Sequence, residues 1–133
     1  MIAIIKAALI YIWQLPQHLA ALALYVFLTV ARMRRKPYNS LFRPAELIVL
    51  SIPRFGLCLG EYIFVGYMDL DGHIIRHEKG HRVQSRCLGP LYLIVVGLPS
   101  ITRNIWQRIF KKSAAWYYSG WPEADANRRA GLA

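Results

Sequence analysis

Residues 77–81 read HEKGH. Folded as a helix, this run places His77 and His81 one turn apart on one face, with Glu78 beside them. Two imidazoles at i and i+4 offer a helix's two ligands to a metal such as Zn2+, and the adjacent carboxylate supplies a general base for an activated water. Gly80, just before the second histidine, leaves room for another backbone to pack close to such a centre. The competing reading is a polar surface helix whose histidines bind nothing.

A catalytic zinc needs a third protein ligand and one open position. His73 extends the series to i, i+4, i+8, but the outer pair of such a series lies roughly 12 Å apart along the axis. His73 therefore reads as a helix-start residue or a polar group on the substrate side. His18 is the one other histidine, and it sits in the apolar N-terminal segment. Cys87 follows the motif closely, yet a small buried hydrophobe describes it better than a ligand. Cys58 and Cys87 lack CxxC spacing and read as free thiols.

Beyond the motif the acidic residues are Glu123 and Asp125, in WPEADANRRAG, where Pro122 suits a first helical position and Gly131 suits the far end. A second helix starting there can project Glu123 toward a metal held by the HEKGH helix, so Glu123 is the expected third ligand. The alternative for it is an acid favoured by the helix N-terminal dipole. Asn127, one turn on, is placed to accept from the second ring nitrogen of a ligand histidine. Asp125 points about 200° away from Glu123 on an ideal helix, so the two do not serve together. Tyr117 and Tyr118, shortly before this helix, join His73 as candidates for oxyanion or substrate contacts, with core packing as the competing role of both tyrosines.

With these residues in place a resemblance becomes visible. HExGH followed some tens of residues later by helical Glu-x-x-Ala-Asp/Asn resembles the membrane gluzincin metallopeptidases of the HtpX and CAAX prenyl protease type. The matching residues are His77, Glu78, Gly80, His81, Glu123, Ala126 and Asn127. The resemblance implies His77, His81 and Glu123 as zinc ligands and Glu78 as base. Asn127 stands where those enzymes usually carry Asp, and this chain is far shorter, without their several membrane helices. HEKGHRVQSRCLGPLYLIVVGLPS also resembles a segment of small uncharacterised bacterial proteins, found in some Rhs-type toxin tails as well, over roughly residues 60–131.

The elements that must position these residues follow from composition. The chain has 133 residues, room for one domain; it is 56% hydrophobic and carries a formal charge of +10. Lys6 is the one basic residue before Arg32, and no charge falls in residues 7–31. As a single helix that stretch would run roughly 37 Å, enough to cross a bilayer. Pro16 should kink it, and Gln14, Gln17 and His18 around the kink should face protein or water rather than lipid. Alternatively, residues 2–13 lie along the interface and the later half inserts. RMRRK follows at once, which places the body in the cytoplasm by the positive-inside rule. A cleaved signal peptide would carry its basic residues before the apolar run instead.

The apolar runs at 47–52 and 57–67, broken by Pro53, Gly56, Gly60 and Gly66, favour short strands. Asp69, Asp71 and Gly72 mark a turn, and a helix over about 73–86 carries the motif. Residues 88–101 are uncharged but too few for an ordinary span, so they read as a buried or re-entrant segment. RNIWQRIFKK is amphipathic and basic, suited to an anionic membrane surface or simply to solvent.

The expected fold is α+β: an N-terminal transmembrane helix over 1–36, then a minimal zincin-like domain over 37–133. That domain holds a small β-sheet or hairpin, the HExxH helix and a C-terminal glutamate helix. The expected function is a membrane-anchored zinc metallopeptidase of the bacterial inner membrane, acting on a peptide or protein with Glu78 as general base. The strand over residues 62–67 is the expected docking edge for an extended substrate. The alternatives are a non-catalytic, zinc-stabilised membrane interaction protein and a membrane-active toxin. No RNA-binding signature or Cys/His finger spacing points to nucleic acid.

Overall fold

The computed structural model describes residues 1–35, 47–70 and 72–132. Six helices and a mixed four-stranded sheet make up these residues, an α+β architecture. The helices are α1 (Ile2–Trp13), α2 (Leu15–Val30), α3 (His73–Leu88), α4 (Leu98–Ile109), α5 (Ala114–Ser119) and α6 (Glu123–Arg129). The strands are β1 (Arg34–Arg35), β2 (Leu47–Leu50), β3 (Gly56–Leu59) and β4 (Tyr62–Gly66). The linker expected from residue 36, the domain boundary at 36/37 and the turn residue Asp71 lie outside the described residues.

The sheet runs β1-β2-β4-β3. β2 lies parallel to β4, while β3 folds back on β4 as a hairpin through Gly60 at φ +63°. Successive side chains of a strand point to opposite faces, and here both faces are covered. Leu50, Leu59 and Phe64 pack with Ala21 and Leu28 of α2, and Val49, Cys58, Ile63 and Val65 pack with Ile75 of α3. Burial on both sides explains why LIVL and YIFVG are continuous apolar runs rather than alternating ones. The order also corrects the expected docking strand: β4 is hydrogen-bonded on both sides, and the outer strand beside it among the described residues is β3, whose Cys58 carbonyl accepts from the Tyr92 hydroxyl.

The N-terminal segment departs from a single transmembrane helix. No single helix among the described residues is long and apolar enough to cross a membrane; α1 and α2 reach that length only together, and they meet at 78°. Pro16 in the first turn of α2 cannot donate to the preceding turn, which frees the chain to bend there. Gln14 and Gln17 are fully buried at the bend. Ser85 Oγ donates to Gln14 Oε1 at 2.5 Å, and Gln14 Nε2 donates to Glu61 Oε1 at 2.9 Å. Gln17 Nε2 donates to the Gly89 carbonyl. His18 Nε2 accepts from the Glu61 backbone N–H, and Trp13 Nε1 donates to the Arg86 carbonyl at 3.0 Å. Glu61 also pairs with Arg86; burial pushes its carboxyl up, but the hydrogen bonds of Arg86 and Gln14 outweigh this and hold it below its usual value.

Of the two readings of residues 88–101, buried or re-entrant, the exposure of Leu91, Ile94, Leu98 and Ile101 goes against the first. A 3-10 turn (Gly89–Leu91) and a wide π-type turn (Leu93–Gly97) lead into α4. Tyr92 and Val96 are buried, whereas Leu98, Ile101, Ile105 and Ile109 form an exposed apolar stripe on α4.

Phe64 is completely buried against α2. Phe64→Ala is expected to cost about 3–5 kcal/mol, read as a lowered unfolding midpoint in detergent or lipid.

Candidate metal centre

Helix α3 begins at Gly72, whose φ of +97° suits glycine, and carries HEKGH through its middle. Helix α6 opens at Pro122 and ends before Gly131, at φ +70°. The two helices meet at Gly80. A Cβ built there would lie 2.7 Å from the Ala126 carbonyl carbon, closer than any side chain allows. That near contact of α6 with α3 brings Glu123 against both histidines.

Three buried ligand atoms converge. His77 Nε2 lies 2.9 Å from Glu123 Oε2, His81 Nε2 lies 3.0 Å from the same oxygen, and the two Nε2 atoms are 3.1 Å apart. Ligand atoms at ~2.0–2.1 Å from a tetrahedral ion are separated by roughly 3.3 Å, so this triangle fits a divalent metal to within a few tenths of an ångström. Two imidazoles and one carboxylate suit several first-row metals. Among the described residues the group consists of these three. His73 and Cys87 are exposed and are not members, and His18 is engaged at the helix bend.

The far side of each imidazole is held. His77 Nδ1 lies 2.7 Å from Asn127 Oδ1, and His81 Nδ1 lies 2.8 Å from Gln84 Oε1. An amide oxygen only accepts, so each Nδ1 carries a hydrogen and each Nε2 is left to face the ligand triangle. The Gln84 orientation is forced, because its Nε2 donates to Asp125 Oδ2 at 2.8 Å and to the Pro122 carbonyl at 3.1 Å. Asp125 thus points away from the triangle, as the helix geometry expects, yet acts on it through Gln84. The second oxygen of Glu123 accepts from Ser100 Oγ, which lies 3.3 Å from the Tyr117 hydroxyl. Tyr118 places its ring edge-on to His77, with centroids 5.1 Å apart.

Gln84 and Ser100 were missed in the sequence. Gln84 stands at i+3 from His81, a spacing at which helix side chains meet. Ser100 carries no comparable signal, since it belongs to an otherwise apolar run.

The electrostatics follow from burial. Burial opposes charge on Glu123, but hydrogen bonds from His77 and His81 overcome it and hold the carboxyl far below its usual range. Burial likewise opposes charge on His81, yet the Glu123 hydrogen bond and the Glu78 and Glu123 charges raise its pKa to about 9. In the metal-free chain a proton on His81 is therefore the cation of the triangle. Glu78 makes no part of it; burial raises its pKa, with the two histidines opposing.

Glu78 and His81 face a cavity of about 270 Å³, walled by β3, Tyr92, Leu98, Ile101 and Tyr117. β3 passes directly over Glu78: a Cβ on Gly56 would come 2.5 Å from Glu78 Oε1.

Gln84→Ala frees the His81 ring and is expected to weaken metal binding about 10–100-fold, measured by competition with a chromogenic chelator. Metal must also displace the His81 proton. Apparent affinity should therefore rise with pH and level off near pH 9, with proton release measured by calorimetry in buffers of different ionisation enthalpy.

Compared with known proteins, the chain matches no family model, no curated protein and no solved structure. The likeness to gluzincins accordingly rests on the motif residues themselves.

Proposed function

We propose that this chain is a membrane-associated zinc metallopeptidase. The observation that carries the reading is a buried, three-cornered ligand group beside a separate buried carboxylate, both opening on one cavity along the outer strand β3. His77, His81 and Glu123 hold the metal. When bound, zinc supplies Lewis-acid polarisation of water and of the scissile carbonyl.

The chain's own groups perform the rest. Glu78 takes the proton of the attacking water and returns it to the leaving amine. Its raised pKa makes it a stronger base than an exposed glutamate and keeps that proton available for return. The edge of β3 at Gly56, short of the Cys58 carbonyl that Tyr92 occupies, receives an extended peptide backbone, so the substrate crosses the cavity above Glu78. Tyr117 lines the same cavity, and burial raises its pKa, which keeps its hydroxyl a hydrogen-bond donor. Of the three expected oxyanion or substrate contacts, Tyr117 is thus the best placed; Tyr118 supports the His77 ring and His73 lies exposed on the first turn of α3.

Among the described residues the group offers three ligands and one of them, His81, lines the cavity, which suits an open site better than a closed structural zinc with four protein ligands. The membrane part rests on the bent apolar pair and on the exposed stripe of α4.

Glu78→Gln should keep bound metal and lose about 10²–10⁴-fold in cleavage of a fluorogenic peptide library. Glu123→Ala should lose the metal as well, measured by elemental analysis after gel filtration. Full metal occupancy in Glu123→Ala, or undiminished cleavage in Glu78→Gln, would sink the assignment.

A further inference from the structure

The N-terminal segment shows how the chain sits on a membrane. Its arms expose apolar side chains, Ile5, Leu9 and Ile12 on α1 and Leu19, Leu22 and Val26 on α2. Its elbow does the opposite. Gln14 and Gln17 are fully buried, and their amides bond to Ser85, Glu61 and Gly89 of the body. Gln17 Oε1 is the one buried side-chain oxygen or nitrogen among the described residues without a partner.

Straightening α1 and α2 into one span would draw these amides away from the body and expose them to hydrocarbon, where each unsatisfied polar group costs several kcal/mol. It would equally strip Ser85 and Glu61 of their partners. The bend is therefore the state that keeps the Gln14 and Gln17 amides bonded to the body, and in that state neither arm is long enough to cross.

We propose that the chain is monotopic: α1, α2 and the apolar stripe of α4 embed in one leaflet of a bilayer containing anionic lipid, and the N-terminus and body stay on the same side. Charge complementarity selects the leaflet surface. Arg34 and Arg35 follow α2, and Arg108, Lys111 and Lys112 stand at the end of α4, all exposed, in a chain of formal charge +10. Basic residues beside apolar helices are the pattern that anionic headgroups attract. The proposal rests on the membrane half of the functional reading and not on its peptidase half. Its test scores sidedness rather than cleavage, so the two fail separately.

The test uses the full chain with one cysteine in a short hydrophilic extension ahead of Met1, expressed in a bacterial host. Exposed Cys87 reports the body, and Cys58 is buried. Sealed right-side-out and inverted membrane vesicles are treated with a membrane-impermeant maleimide. The expected result is that the extension and Cys87 label from the same side. Labelling from opposite sides would overturn the proposal, as would recovery of the chain in the soluble fraction as a self-associated oligomer. In a second arm, Gln14→Leu/Gln17→Leu removes the polar elbow, and the extension is expected to move to the opposite side. Same-side labelling of that variant would overturn the assignment of the bend to these two residues. In a third, purified protein should float with phosphatidylglycerol-containing vesicles at least about tenfold more readily than with phosphatidylcholine alone; equal flotation would overturn the choice of anionic lipid.

Discussion

The approach of α6 to α3 at Gly80 is the contact on which the candidate metal centre depends. The Ala126 carbonyl occupies the space a side chain at position 80 would need. Glu123, Ala126 and Asn127 stand at i, i+3 and i+4 and so share a face of α6. Seating Ala126 on Gly80 therefore delivers Glu123 to the near side of the histidines and Asn127 to the Nδ1 of His77 in one step. A ligand and its supporting group come from a single rigid turn. No flexible loop has to be ordered for the triangle to form, which lowers the entropy cost of assembling it.

The same helix resolves a conflict created by the N-terminal segment. Residues 7–31 are apolar enough to seek lipid, yet they contain two glutamines and a histidine around Pro16. Such amides are costly in any apolar setting unless bonded. The body supplies the bonds: Ser85 on α3, Gly89 just beyond it and Glu61 at the β3–β4 turn hold the glutamines and His18, and the Arg86 carbonyl accepts from Trp13 beside them. α2 meanwhile adds Ala21 and Leu28 to the core on one face of the sheet. The segment is thus part of the folded unit, with its apolar outer surface left over.

What could be read from sequence was what local spacing encodes. HEKGH at i and i+4, Pro122 and Gly131 bracketing a helix, and Asn127 one turn after Glu123 are short-range patterns. The structure brings His77, His81, Glu123 and Asn127 together in that arrangement. The kink at Pro16 and the turning of Gln14 and Gln17 toward protein are equally legible from local residues, and the structure has both. What sequence does not reveal is non-local: the 78° angle of the bend, and partners of Gln14 that lie 47 and 71 residues away. The strand over 62–67 was taken as a docking edge because its composition says strand, whereas edge or centre is decided by the order β1-β2-β4-β3. Ser100 was invisible because its neighbours are apolar, and its partners Glu123 and Tyr117 belong to other helices.

Helix α3 explains why these separate features coexist in so small a chain. Each of its faces has one occupant. Ile75 belongs to the sheet, while His77, His81 and Gln84 turn to α6; Glu78 lies under β3, and Ser85 and Arg86 take the elbow. Gln84 and Ser85 are neighbours in sequence, one bonded to His81 and the other to Gln14. The N-terminal segment and the ligand triangle are therefore joined through consecutive residues of one helix. Among the described residues one sheet and one helix, α3, thus carry both the arrangement of Glu78 beside the ligand triangle and the bonds that seat the N-terminal bend, so the geometry of the one cannot be set apart from the geometry of the other.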